Sequence, residues 1–223
     1  MSKTVLITGA SRGIGFVLTN LFIQHNYHVI GTCRAGKIEN LTHNNLELLK
    51  LDLSDMESIK NVDQVLSKKS IKIDILVNNA GVGFDLDYSL PEEKTFKQTF
   101  EINVTGNVFF TESLTRHIKN GGKIINISSK MGSIGLCKLS DSVAYRMSKS
   151  ALNMYTKILS SRFVNRIKVA SVHPGWVRTT IAKSNVNGRL SPEESAARIF
   201  DFIISDYNTG IFWDVENQSE IEW

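Results

Sequence analysis

Residues Lys3 to Gly15 read K-T-V-L-I-T-G-A-S-R-G-I-G, and no other stretch limits the fold of this chain as tightly. An apolar, β-branched run (Val5, Leu6, Ile7) breaks into Gly9, Gly13 and Gly15, then resumes at helical spacing through Ile14, Val17, Leu18, Leu21 and Phe22. The pattern is a strand, a tight turn and a helix. Glycine in such a turn permits positive φ and lets a ligand approach a backbone that carries no Cβ. The start of the helix aims unpaired N–H groups and the positive end of its dipole at the same place. A pyrophosphate suits it. The spacing is G-x-x-x-G-x-G rather than the G-x-G-x-x-G of the usual dinucleotide fingerprint, so the case rests on mechanism and not on a pattern match.

Short apolar runs then alternate with longer amphipathic segments, without repeats or low-complexity tracts. Further strands are expected at residues 28–33, 46–51, 73–78, 123–128, 168–173 and 210–213, and helices at 56–67, 95–119, 142–163 and 192–204. This is a βαβ rhythm, and near-continuous Val, Ile and Leu in the strands implies a parallel sheet covered by helices on both faces. A length of 223 residues suits one domain spanning 1–223. The formal charge of +4 comes from scattered Lys and Arg with no basic block, which argues against nucleic acid. Two cysteines, Cys33 and Cys137, are too few for a disulfide framework and suit a reducing compartment, and Cys137 reads as a small apolar residue. The opening apolar run is interrupted by Thr8, Gly9, Ser11 and Arg12 and no later run is long enough to span a bilayer, so a cytoplasmic protein without membrane contact is expected. His25, His28, His43, His117 and His173 share no metal-ligand spacing, and no metal site is expected.

In parallel sheets ligands bind beyond the carboxyl ends of the strands. There the sequence places Asn78-Asn79-Ala80-Gly81 after the fourth strand, Ser128-Ser129 after the fifth and His173-Pro174-Gly175 after the sixth, while Tyr145 and Lys149 stand at i and i+4 near the start of a long helix. A tyrosine with an ordinary pKa of about 10 is a poor acid or base near neutrality, but a cation one turn away favours its phenolate. Lys149 can be that cation, and a serine hydroxyl can hold a substrate oxygen while Tyr145 moves the proton.

Together these residues resemble the classical type of short-chain dehydrogenase/reductase, across essentially the whole chain. The matching motifs are Thr8-Gly9-x-x-x-Gly13-x-Gly15, Asn78-Asn79-Ala80-Gly81, Asn103, Ser129, Tyr145-x-x-x-Lys149, and Pro174-Gly175 followed by Thr179. The stretch Ala144 to Lys149 and the segment from Gly210 to Trp223 look more narrowly like the C-factor and Sniffer-type carbonyl reductase branch. The resemblance implies a single Rossmann-type, doubly wound α/β sheet and a catalytic tetrad. In it Tyr145 is the general acid/base, Ser129 orients the carbonyl, Lys149 lowers the tyrosine pKa and binds the nicotinamide ribose, and Asn103 holds a water in the proton relay. Ser129 is preferred to Ser128 because Gly132 follows at the family's usual offset. The implied cofactor contacts are Gly9, Ser11, Arg12, Gly13, Ile14, Gly15, Cys33, Arg34, Asp52, Leu53, Asn79, Ala80, Gly81, Tyr145, Lys149, Pro174, Gly175, Val177 and Thr179. The segment of about 180–191 is a short substrate-side flap, so an open pocket is expected. A homodimer or homotetramer is also implied.

Cofactor choice has a physical argument. A carboxylate after the second strand would accept from the ribose hydroxyls of NAD and repel a 2′-phosphate, whereas arginine there binds the phosphate. Here the strand ends Gly31-Thr32-Cys33-Arg34 with no acid at its tip, and Arg12 is a second cation in the glycine turn. NADP(H) is therefore favoured over NAD(H). The reading is an NADPH-dependent oxidoreductase acting on an aldehyde or ketone; the alternative is a C-factor-like signalling or regulatory module that binds NAD(P) with incidental turnover.

Overall fold

The computed structural model describes residues 2–39 and 41–223; Met1 and Asn40, inside the expected 1–223 span, lie outside the described residues. Its strands are β1 (Thr4–Thr8), β2 (His28–Cys33), β3 (Leu46–Lys50), β4 (Ile73–Asn78), β5 (Ile118–Ile127), β6 (Ile167–His173), β7 (Ile211–Asp214) and β8 (Ser219–Glu220). The helices are α1 (Gly13–Gln24), α2 (Met56–Lys68), α3 (Glu93–Phe100), α4 (Asn107–Leu114), α5 (Val143–Arg162) and α6 (Pro192–Ile204). The strands form one sheet in the order β3-β2-β1-β4-β5-β6-β7-β8. Every pairing is parallel except the last, where β8 runs antiparallel to β7. The α/β doubly wound fold is as the sequence implies, with β8 as an unforeseen edge.

Alternation along the strands distributes the core between two faces. Val5, Ile7, Val29, Ile75 and Val77 point one way and pack with Leu18 and Phe22 of α1 and Ile199 and Ile203 of α6. Leu6, Ile30, Leu76 and Ile124 point the other way, under Val62 and Leu66 of α2, Phe110 and Leu114 of α4, and Leu152 and Leu159 of α5. Helix starts are fixed locally: the Asp55 side chain accepts from Glu57 N at the head of α2, and Ser191 and Glu194 form a reciprocal capping box with Pro192 at the head of α6.

One expected helix is corrected. The segment 95–119 is not a single helix but α3, a π-helical stretch over Glu101–Gly106, α4, and a tight turn at Thr115–His117. Strand β5 then starts at Ile118, five residues before the expected Lys123, because Ile118 pairs with Ile73 before a register shift and the Gly121-Gly122 step carry the strand on. Helical spacing at Ile118 is overridden by pairing with the neighbouring strand. Gly121 supplies the turn with φ +80°.

The π-helical stretch ends at Gly106, which is pressed against the chain following β3: a Cβ there would stand 1.9 Å from the Leu53 carbonyl oxygen. The clash is with backbone, which does not yield cheaply. Gly106→Ala is expected to lower unfolding free energy by about 1–3 kcal/mol or more, whereas Gly121, with nothing within 4 Å of its would-be Cβ, resists alanine only through its positive φ. Urea denaturation of the two variants against the parent protein checks the ordering.

Candidate active site

The glycine turn, the ends of β4, β5 and β6, and the head of α5 share one rim of the sheet. Gly9 and Gly13 have φ of +69° and +54°, so the turn needs glycine at both. A Cβ on Gly15 would fall 2.3 Å from the Gly9 carbonyl oxygen and 2.5 Å from Asn79 Nδ2, so α1 begins hard against the end of β1. Arg12 stands at the helix N-cap in extended conformation, its side chain makes no cap bond, and the first turn carries no acid. The open N–H groups and dipole at that end suit an anion. The residues present therefore fit the pyrophosphate of a dinucleotide.

Next to this turn, Ser11, Arg12, Phe16, Lys37, Ile38 and Glu39 line an open cleft of about 360 Å³. Arg34, like Arg12 and Lys37, is exposed. Cys33 is buried, with its thiol 3.4 Å from the Lys37 carbonyl oxygen. Asp52 is engaged by its own loop, accepting from Ser54 N at 3.0 Å and Ser54 Oγ at 2.7 Å. These bonds, with Arg34 and Lys50 nearby, hold its carboxyl below the usual carboxylate range. Leu53 is buried beside it. Across the turn, the Thr179 methyl lies 3.7 Å from a would-be Cβ of Gly13, which brings the loop after β6 to the glycine turn. In that loop Gly175 has φ +83°, the Pro174 carbonyl accepts from Ser195 Oγ at 2.7 Å, and buried Val177 bridges to Leu190. The 180–191 segment is a turn over Lys183–Asn187 whose Asn185 Nδ2 donates to the Val177 carbonyl at 2.9 Å.

Ser128 and Ser129 point to different places. Ser128 Oγ is buried and donates to Asn153 Oδ1 at 2.6 Å. Ser129 caps the short turn Lys130–Gly132, accepting from Met131 N at 3.2 Å, and its hydroxyl lies near enough to Tyr145 to favour the phenolate. Gly132 makes this possible: a Cβ there would lie 2.7 Å from the backbone carbon and Cβ of Lys149. The serine turn thus sits directly on α5.

Lys149 and Tyr145 are only 5% and 8% exposed. Lys149 Nζ donates to the Ile127 carbonyl at 2.9 Å and lies 5.6 Å from the Tyr145 ring centre. A Cβ on Gly81 would be 3.5 Å from Nζ and 3.2 Å from Asn103 Oδ1, so glycine keeps this corner open. Burial brings Lys149 down to about 8, and burial, with the Asp85 charge, pushes Tyr145 up to about 12 against the pull of the nearby Ser129 hydroxyl. The expected lowering of the tyrosine pKa is corrected accordingly: desolvation outweighs any help from Lys149.

Asn103 is buried in the π-helical stretch, but its side chain is engaged by protein: Oδ1 accepts from Val82 N and Nδ2 donates to the Val82 carbonyl, both at 2.8 Å, and Nδ2 also reaches Ser148 Oγ at 3.1 Å. It pins the chain after β4. Asn79 likewise braces the turn, with Nδ2 donating to the Thr8 and Gly9 carbonyls at 2.9 and 3.3 Å. Cys137 is exposed rather than packed as a small apolar residue. Lys37 and Asp85 were not among the candidates. Lys37 follows Arg34 by three residues and a count of cations after β2 would have found it, whereas Asp85 meets partners about 60 residues away and leaves no local signal.

A family model for short chain dehydrogenases matches residues 3–189. The chain belongs to the short-chain dehydrogenase/reductase family. It is an NAD(P)-dependent oxidoreductase of that family. Over its whole length it superposes on a short-chain dehydrogenase/reductase from Burkholderia multivorans with bound NADP, covering 100% of both chains at TM-score 0.89 and 26% identity. The carbonyl reductase Sniffer of D. melanogaster gives TM-score 0.85 at 27% identity, covering 100% of both chains. An NADPH-bound carbonyl reductase from chicken fatty liver gives 0.84 at 26%, covering 100% of this chain and 99% of that one. Among curated relatives, a 3-oxoacyl-[acyl-carrier-protein] reductase of Vibrio harveyi is 30% identical over 204 residues, covering 88% of this chain and 80% of that one. An uncharacterized oxidoreductase of Schizosaccharomyces pombe is 30% identical over 189 residues, 82% of this chain and 64% of that one.

Burial of the lysine has a consequence for stability. With Lys149 at about 8 in the folded chain against the ordinary lysine value of 10.5, the unfolded state binds more protons between those values, so unfolding free energy rises with pH there and the cost of the buried cation is fully present below pH 8. Tyr145, at about 12 against 10.0, acts oppositely only above pH 10. Urea unfolding at pH 8 and pH 10 is expected to show a rising contribution that Lys149→Met abolishes.

Proposed function

We propose that the protein is an NADPH-dependent carbonyl reductase in which Tyr145 is the general acid. The observation that carries this reading is the meeting of Ser129, Tyr145 and Lys149 at one corner of the glycine-turn rim, from segments that are separate in sequence. When bound, the reduced nicotinamide supplies a hydride to the substrate carbonyl carbon. Tyr145, held in its protonated form by burial, gives its phenolic proton to the carbonyl oxygen while the Ser129 hydroxyl orients that oxygen. Lys149 presents a cation to the nicotinamide ribose from the floor formed by Ile127 and Gly81. Asn103 acts by fixing Val82, and so Gly81, in place. Short-chain relatives named carbonyl reductases, and one with bound NADP, support the assignment.

NADPH is preferred in this reading because the cleft beside the glycine turn holds Arg12 and Lys37, with Arg34 at the tip of β2 and no acid at that tip. A homodimer or larger assembly belongs to the same reading: Phe109 on α4 and Met147, Met154 and Ile158 along one face of α5 are exposed, an apolar surface that a second copy would cover.

Tyr145→Phe is expected to lower turnover of aldehydes or ketones by on the order of a hundred- to ten-thousand-fold while NADPH still binds, measured by reduced-nicotinamide absorbance and fluorescence; near-parental turnover would exclude the tyrosine as acid. Arg34→Ala and Lys37→Ala should each raise the Michaelis constant for NADPH, by about tenfold or more, and leave that for NADH nearly unchanged. A parent protein that prefers NADH would overturn the cofactor assignment.

A further inference from the structure

The loop between β4 and α3 carries a carboxylate that the reaction described above does not use. Asp85 is 1% exposed, and its oxygens accept from Ala144 N at 2.6 Å and from Tyr145 N at 3.1 and 3.4 Å. These are the second and third residues of α5. A helix leaves its first N–H groups without intrahelical partners, and a side chain at the N-cap normally takes one of them. Here the N-cap is Ser142, in left-handed conformation at φ +54°, and its side chain makes no cap bond. Its backbone N–H instead donates to the Tyr88 carbonyl at 2.9 Å. The first intrahelical bond runs from Arg146 N to the Ser142 carbonyl. The cap of α5 is therefore delivered from another part of the chain.

The segment that delivers it is held at both ends. Val82 is pinned by two 2.8 Å bonds to Asn103, and Tyr88 by its bond to Ser142. Between them, a Cβ on Gly83 would approach Tyr145 Cδ2 to 3.3 Å, so the loop backbone runs along the tyrosine ring. A carboxylate is suited to this position twice over, as an acceptor for two N–H groups and as a negative charge at the positive end of a 20-residue helix.

We propose that Asp85 is a positioning residue for the reaction: its carboxylate caps α5 from outside the helix and thereby fixes where the Tyr145 hydroxyl stands relative to Ser129 and the floor at Gly81. This rests on Tyr145 being the acid. Asparagine at 85 keeps the volume and one acceptor but turns an N–H toward a backbone N–H, so the two-point hold becomes a one-point hold. A misplacement of the acid of this kind costs on the order of ten- to a hundredfold in rate.

The test compares Asp85→Asn and Asp85→Ala with the parent and with Tyr145→Phe, using a ketone or aldehyde that the parent reduces. NADPH-binding sites are counted by fluorescence titration, so that unfolded molecules drop out of the rate. Per competent site, Asp85→Asn should lower kcat about ten- to a hundredfold, with the dissociation constant for NADPH within about twofold of the parent and Asp85→Ala lower still. Parental kcat per site in Asp85→Asn overturns the proposal, as does a loss of turnover matched by an equal loss of NADPH affinity, which marks general damage to the fold. If Asp85→Ala yields no competent sites, Asp85→Asn alone decides. The two readings separate through Tyr145→Phe: if that variant is active, the acid assignment fails; if it is inactive while Asp85→Asn is fully active, only the positioning role fails.

Discussion

The seam between β1 and β4 is where the sheet changes direction of growth, and the rest of the site hangs from it. Thr8 Oγ1 accepts from Asn79 N at 3.0 Å and from Ala80 N at 2.9 Å, while Asn79 Nδ2 reaches back to the Thr8 carbonyl at 2.9 Å. These bonds close the backbone just where two parallel strands end and their crossovers leave on opposite sides. The result is a crevice at a topological switch point. Remove that stitching and the glycine turn, the α1 terminus and the Gly81 corner lose their common reference.

Desolvation then sets the chemical character of what the seam positions. The same burial that pushes Tyr145 up brings Lys149 down, so each is drawn toward its neutral form. His173, at the end of β6, is likewise held neutral at about 4 by burial, against the upward pull of Asp214 and Glu216. Burial therefore keeps the proton on Tyr145 well above neutrality, and it also makes the phenol a weaker acid than a free tyrosine. Around it the clamps are polar and local: Asn103 on Val82, Asp85 on the head of α5, and Glu216 accepting from Trp176 N at 3.2 Å while paired with Arg189.

How far the sequence could be read follows from the range of the forces involved. Strands β1, β2, β4 and β6 and the helices α1, α2, α5 and α6 were legible because apolar periodicity and caps such as Asp55 and Ser191 act within a few residues. The segment 95–119 was not, since Ile118 has helical spacing yet pairs with Ile73, and the π-helical stretch at Glu101–Gly106 exists where Gly106 presses on Leu53. Ser129 was separable from Ser128 through Gly132, whose packing on Lys149 gives that spacing its reason.

The order of strands and helices, the glycine turn at Gly9, Gly13 and Gly15, the pair Tyr145 and Lys149 on one helix face, and the missing acid after Cys33 are properties of the sequence by itself. They follow from backbone freedom, side-chain period and charge, all of which act between near neighbours. Only the tertiary structure decided that Asn103 braces Val82, that Lys37 joins Arg12 at the cleft, that Asp85 caps a helix it does not belong to, and that Tyr145 is raised rather than lowered. Those outcomes depend on which distant groups share a buried space, because desolvation and hydrogen-bond partnership are set by what surrounds a group in three dimensions and not by what precedes or follows it in the chain.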